Sequence, residues 1–232
     1  MLGSYRHAYL LGSLLLLVLV QPFLGERLLG LALIDVFLIV TLVTSIVTCS
    51  TTRRQLVIGI ALAAALEMAR WSALISDHRV LLSSAPGLGL LFFVYVTALM
   101  LHEVFRKTRE VSADTIAGAL SVYLLLGLAW SFAYALLEIA EPGSFSFGGA
   151  GPDPTGPDFA RFLGFSFVTL TTLGYGNIVP TNPRADALTS TEALVGQIYL
   201  AVLVARLIAI QLQQAYSRRT GERATNEDST EE

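Results

Sequence analysis

Thr169-Leu170-Thr171-Thr172-Leu173-Gly174-Tyr175-Gly176-Asn177 is the stretch that decides how this chain is read. It follows a short apolar segment, 159–171, and precedes a long one, 187–211. Consecutive backbone carbonyls aimed at one axis can replace the hydration shell of a cation. A backbone holding them there needs conformations that a Cβ disfavours, and Gly174 and Gly176 supply that freedom. Thr172 adds a hydroxyl oxygen at the inner mouth. Leu173 and Tyr175 are expected to point away from the axis and pack on the preceding helix, keeping the strand open. One chain supplies one such strand. Encircling an ion takes four, and closed symmetry makes a C4 homotetramer the natural assembly.

Working outward, the 232-residue chain is 54% hydrophobic and 14% charged, against about 25% charged in soluble domains. Charge is missing from long runs and crowded into short connectors. Six runs, 8–24, 28–49, 55–75, 87–104, 115–139 and 187–211, have roughly the ~20 apolar residues a spanning helix needs. The segment 159–171 is too short to span and suggests a re-entrant or buried helix. The expected fold class is therefore all-α and integral to a membrane, with six spans, a re-entrant helix and the glycine-bearing strand. The run 8–24 is long for a signal sequence and lacks a small-residue cleavage site, so it reads as a retained anchor.

With the N-terminus inside, Arg6, Arg53, Arg54, Arg106, Lys107, Arg109, Arg218, Arg219 and Arg223 fall on the cytoplasmic side. They outnumber Arg27, Arg79, Arg161 and Arg184 outside. The positive-inside rule then places both termini in the cytoplasm of a multi-pass protein of the plasma membrane. The connector 141–157 is rich in glycine and proline and reads as an irregular outer loop. The tail 218–232 is polar, with little to bury, and reads as disordered. The boundaries expected are a four-helix peripheral module over 1–110, a pore module over 111–217, and that tail.

From the order of elements over 115–211 and the sequence Thr172-Leu173-Gly174-Tyr175-Gly176, the chain resembles the potassium-channel pore family. That family carries a Thr-Val-Gly-Tyr-Gly filter between a pore helix and an inner helix. The resemblance implies passive, potassium-selective conduction, with K+ bound at Thr172, Leu173, Gly174, Tyr175 and Gly176 as the permeant ion and no cofactor. Two departures stand out. Leu173 replaces the commoner valine, and Asn177 stands where the family often has aspartate. Val168 likewise offers no carboxylate to pair there, so the brace behind the filter is expected to differ.

Gly196 lies in the last span near the family's hinge glycine. It either permits a bend or lets another helix approach closely. Arg206, lower in that span near the expected inner gate, either lines the pore or snorkels to the interface. The fourth span carries no basic residue, so a voltage sensor of the ordinary kind is not expected. Asp35, Glu67 and Arg70 fall in one outer layer of the second and third spans and are candidates for an intramembrane charge pair. Asp158, after Pro157, is placed to cap the short helix, or it is an ordinary loop acid.

One cysteine, Cys49, excludes an intrachain disulfide. The net charge of −3 argues against a nucleic-acid partner. His7, His78 and His102 are isolated, and no nucleotide loop, metal cluster or nucleophile–base set appears, so no catalysis is expected. The partners expected are further copies of the chain, membrane lipids and K+. Competing readings are a weakly selective cation channel on the same fold, a non-conducting regulatory subunit, and a four-repeat transporter, which a single filter motif disfavours.

Overall fold

The computed structural model describes residues 6–20, 28–50, 52–75, 79–107, 112–148 and 159–228. Seven helices dominate it: α1 (Arg6–Val20), α2 (Leu28–Cys49), α3 (Arg53–Ile75), α4 (Arg79–Lys107), α5 (Ala113–Ala140), α6 (Phe159–Leu170) and α7 (Pro183–Asp228). Among the described residues, four stretches are long and apolar enough to cross a membrane: Arg53–Ser72, Ser84–Phe105, Ala113–Ala140 and Pro183–Gln214. Arg6–Val20 and Phe159–Leu170 are shorter apolar helices.

The helix ends follow from local chemistry. Thr52 and Gln55 form a capping box at α3: the Thr52 N–H donates to Gln55 Oε1 (3.1 Å) and the Gln55 N–H to Thr52 Oγ1 (3.3 Å). Ser112 caps α5 by accepting from the Thr115 N–H at 3.2 Å. Asn182 caps α7 by accepting from the Ala185 N–H at 2.8 Å, with Pro183 in the first helical position. Hydroxyls inside the helices bond back to their own backbone, as Thr41 does to Phe37 O (2.8 Å), Ser121 to Ala117 O (2.8 Å) and Ser131 to Leu128 O (2.7 Å). Those hydroxyls are thereby satisfied within their own helices, whereas the buried Ser45 Oγ of α2 makes no hydrogen bond.

Of the first four helices, α4 and α1 pack on α5, and α2 and α3 pack on them. Phe93 of α4 stacks on Phe132 of α5, centroids 5.5 Å apart. Gly89 is what lets them meet, since a Cβ there would lie 2.4 Å from the Phe132 ring. At the other end of α5, Asp114 takes the His7 N–H (3.1 Å) and pairs with His7 Nδ1 (2.8 Å), tying α1 to α5. Arg6 donates to the carbonyls of Val47 (3.1 Å) and Thr48 (2.7 Å), satisfying the last turn of α2.

Two expectations need correction. The outer connector is not irregular throughout: β1 (Phe145–Phe147) pairs antiparallel with β2 (Ile178–Pro180), Ser146 opposite Val179. The physical reason is burial. Phe145 joins a second core with Tyr134, Phe162, Phe165 and Ile178, and the period of two in Phe-Ser-Phe keeps Ser146 outside. The tail also differs, because α7 continues to Asp228 instead of ending near 217. Residues 212–228 hold no proline and one glycine, Gly221, among good helix formers.

Candidate functional site

The site begins where α6 ends. The Leu173 N–H donates to Val168 O (2.9 Å) and the Thr172 N–H to Thr169 O (2.9 Å). These are the two crossed bonds of a Schellman motif. The residue that turns the chain is Thr172, at φ 58°, where glycine is usual and a β-branched residue is an outlier. The Gly174 N–H also leans back to Val168 O, at 3.4 Å. Three successive amides of the strand therefore face the helix.

The handedness then alternates. Thr172 (58°), Gly174 (63°) and Gly176 (74°) have positive φ, whereas Leu173 and Tyr175 do not. In an ordinary strand successive carbonyls point to opposite sides; alternating the sign of φ turns them to the same side, the arrangement of a carbonyl-lined filter. Among the described residues, no backbone N–H donates to the carbonyls from Thr172 to Gly176. A Cβ on Gly174 or Gly176 would meet nothing within 4 Å. What these positions require of glycine is thus backbone conformation, not space.

The far end of the strand is held by the loop after α5. Asn177 O accepts the Gly148 N–H at 2.7 Å, and Ser144 O accepts the Thr181 N–H at 2.9 Å. The Thr181 hydroxyl donates to Gly143 O. Glu138 of α5 secures that loop through the N–H groups of Gly143 (2.7 Å) and Phe145 (3.1 Å). Arg184 and Glu141 form an ion pair beside it. Behind the strand lies a cavity of about 440 Å3 whose wall includes Gly164, Phe165, Val168, Tyr175 and Asn177. Val168 and Asn177 thus share a space, and no side-chain brace joins them. Leu173 is 57% and Tyr175 72% exposed within the single chain.

Gly196 sits against the end of α6: a Cβ there would lie 2.6 Å from Leu170 O and 2.9 Å from Leu170 Cδ1. That carbonyl also accepts the Tyr123 hydroxyl at 3.1 Å. The close approach foreseen as one role of this glycine is present, and α7 runs through it as one helix. Arg206 lies on α7 with its Cζ 4.6 Å from the Phe105 ring centroid. Glu67 and Arg70 are both half-buried on α3. The side chain of Asp35, like Asp158, lies outside the described residues.

Sequence reasoning missed Glu192. Its carboxylate is buried, takes the Ser166 hydroxyl of α6 at 2.5 Å and accepts from the Tyr134 hydroxyl of α5. Helices α5, α6 and α7 meet on this one acid. The signal was available, because a lone Glu in the apolar run 187–211 falls under the same rule that flags Arg206. Ser166 precedes Val168 by two residues, so the carboxylate holds the turn of α6 whose carbonyl receives the strand.

The comparisons with known proteins fall on this region. Residues 119–213 match the sequence model of a family described as ion channel. Over 112 residues the chain is 34% identical to the inward rectifier potassium channel Kirbac3.1 of Paramagnetospirillum magnetotacticum, which covers 47% of this chain and 32% of that protein. The chain thus spans about a third of the length of that curated relative. No solved structure matches. The stretch that contains α6, the glycine-bearing strand and the membrane-length part of α7 is thus similar to an ion-channel family and, in that relative, to a potassium channel.

Proposed function

We propose that the chain is one subunit of a homotetrameric, potassium-selective channel that passes K+ down its gradient through a filter of Thr172, Leu173, Gly174, Tyr175 and Gly176. The observation that carries this reading is the alternation of positive φ at Thr172, Gly174 and Gly176, with the amides of Thr172, Leu173 and Gly174 turned to α6. Carbonyls left without donors need a partner, and a dehydrated cation is one. The end of α6 adds partial negative charge nearby. In the assembly the exposed faces of Leu173 and Tyr175 are covered by the neighbouring copy, which completes the packing behind the filter.

On this reading α1 to α4 form the peripheral module and α5 to α7 the pore, six spans with both termini cytoplasmic in the plasma membrane. No reaction is catalysed and no cofactor is used. Asp35, Glu67 and Arg70 share an outer layer of the module, with Arg70 pairing either Asp35 or Glu67 to offset burial. Gly196 provides both close contact and, on opening, the bend of α7. Bi-ionic reversal potentials in planar bilayers test selectivity: a strong preference for K+ over Na+ is expected, and equal permeation would leave the weakly selective alternative standing.

A further inference from the structure

A helix leaves its last carbonyls without amides of its own to receive, and α6 stops at Leu170. Three of those carbonyls are taken by the chain that follows. Phe167 O accepts the Thr171 N–H at 3.0 Å, and Val168 O and Thr169 O accept the N–H groups of Leu173 and Thr172, each at 2.9 Å. Leu170 O is the exception: among the described residues no backbone N–H outside the helix reaches it. Leu170 is fully buried, so water does not serve it either, and a buried acceptor without a donor is costly. The Tyr123 hydroxyl of α5 supplies the bond, at 3.1 Å.

Tyr123 is itself held in place. Its ring stacks on Tyr199 of α7, centroids 6.0 Å apart and planes at 26°. Tyr199 in turn donates to Ala119 O, one turn before Tyr123, at 2.6 Å. Gly196 of α7 closes on the carbonyl that Tyr123 holds, since a Cβ there would lie 2.6 Å from Leu170 O. Leu170 is two residues before Thr172, whose left-handed turn at φ 58° opens the strand. The peptide unit is a rigid plane, so any rotation that lets Leu170 O seek another donor also turns the amide of Thr171 and disturbs that turn.

We propose that Tyr123 is a positioning residue for the filter: its hydroxyl fixes the last carbonyl of α6 and, through it, the inner end of the strand 172–176. The inference rests on the reading of that strand as a potassium filter. Tyr123 does not touch the ion; it sets where the Thr172 oxygens stand when the ion arrives. Tyr199 is the natural contrast. Its hydroxyl makes a bond of the same kind to a helix carbonyl, but that bond joins α7 to α5 only. Losing the Tyr199 hydroxyl loosens helix packing, whereas losing the Tyr123 hydroxyl also frees the start of the strand.

The test reads potassium affinity apart from stability. The purified full chain is melted across a potassium titration, with a bulky organic cation making up the ionic strength, and the midpoint of the stabilisation reports ion binding. Tyr123→Phe keeps the ring and its stack and removes only the hydroxyl. Its potassium midpoint should rise about fivefold, the equivalent of one net hydrogen bond. Tyr199→Phe should melt lower in potassium-free buffer yet keep the wild-type midpoint. Tyr123→4-aminophenylalanine, which puts an N–H donor in the same place, should restore it. An unchanged midpoint in Tyr123→Phe overturns the proposal, and so does an equal rise in Tyr199→Phe, which would reduce the effect to general loosening. Should Tyr123→Phe not fold, Tyr123→3-fluorotyrosine decides: its stronger donor should lower the midpoint, and no change would refute the role of the hydroxyl. A wild type that potassium does not stabilise refutes the filter reading itself, and the proposal falls with it.

Discussion

Replacing Thr172 with glycine should stabilise the protein while damaging permeation. Thr172 occupies the left-handed position of the Schellman motif at φ 58°, which costs an L-residue about 1–2 kcal/mol. Glycine avoids that cost but adds about 0.5–1 kcal/mol of freedom to the unfolded chain. The difference is a gain of roughly 0.5–1 kcal/mol per subunit, and both crossed hydrogen bonds, being backbone bonds, survive the change. The threonine hydroxyl does not survive, and on the proposed function one oxygen ligand per subunit at the inner mouth goes with it. The two effects separate by ion. In a potassium-free buffer with a bulky organic cation, Thr172→Gly should melt higher than the wild type. In potassium, ligand binding stabilises the wild type more, so the gap should narrow or reverse, and conductance should fall. A variant that melts lower in potassium-free buffer would refute the account of backbone strain. Unchanged conductance and unchanged potassium stabilisation would refute the role of the hydroxyl.

Gly196→Ala should destabilise the contact between α6 and α7 by about 1–3 kcal/mol, because its Cβ would meet the Leu170 carbonyl at 2.6 Å; a melting temperature equal to wild type would show that α7 yields freely there. Glu192→Leu should cost about 1–3 kcal/mol for the Tyr134 hydroxyl left without its acceptor, while Ser166 keeps Gly127 O at 2.8 Å, and Glu192→Gln should cost less, so melting should rank wild type, Gln, Leu; no ranking would mean the acid does not join the three helices. Gly176→Ala should strain the backbone by about 1–2 kcal/mol with no clash inside the chain, so folded protein should still be recovered but without conduction; full conduction would contradict the requirement for positive φ.

The strand and its helix were legible because their signals are local. A length of apolar sequence fixed α6, and spaced glycines announced positive φ at 174 and 176. That Thr172 shares that conformation was not legible, since threonine is a poor marker for it; the helix end imposes the turn. The first four helices could be counted but not placed, because packing such as Phe93 on Phe132 depends on Gly89 meeting a ring on another helix. Glu192 was visible as a charge in a span, but its partners lie on α5 and α6, far off in sequence. The β pair likewise escaped, as three residues carry too little pattern to be read without the aromatic core that Phe145 enters.

The central claim is tested most directly by potassium flux into liposomes holding the purified protein, with sodium and barium as controls. The account predicts flux that selects K+ over Na+, is blocked by barium and vanishes with Gly176→Ala. Flux that is unselective, or that persists in Gly176→Ala, would contradict it, as would a protein that neither conducts nor assembles as a tetramer.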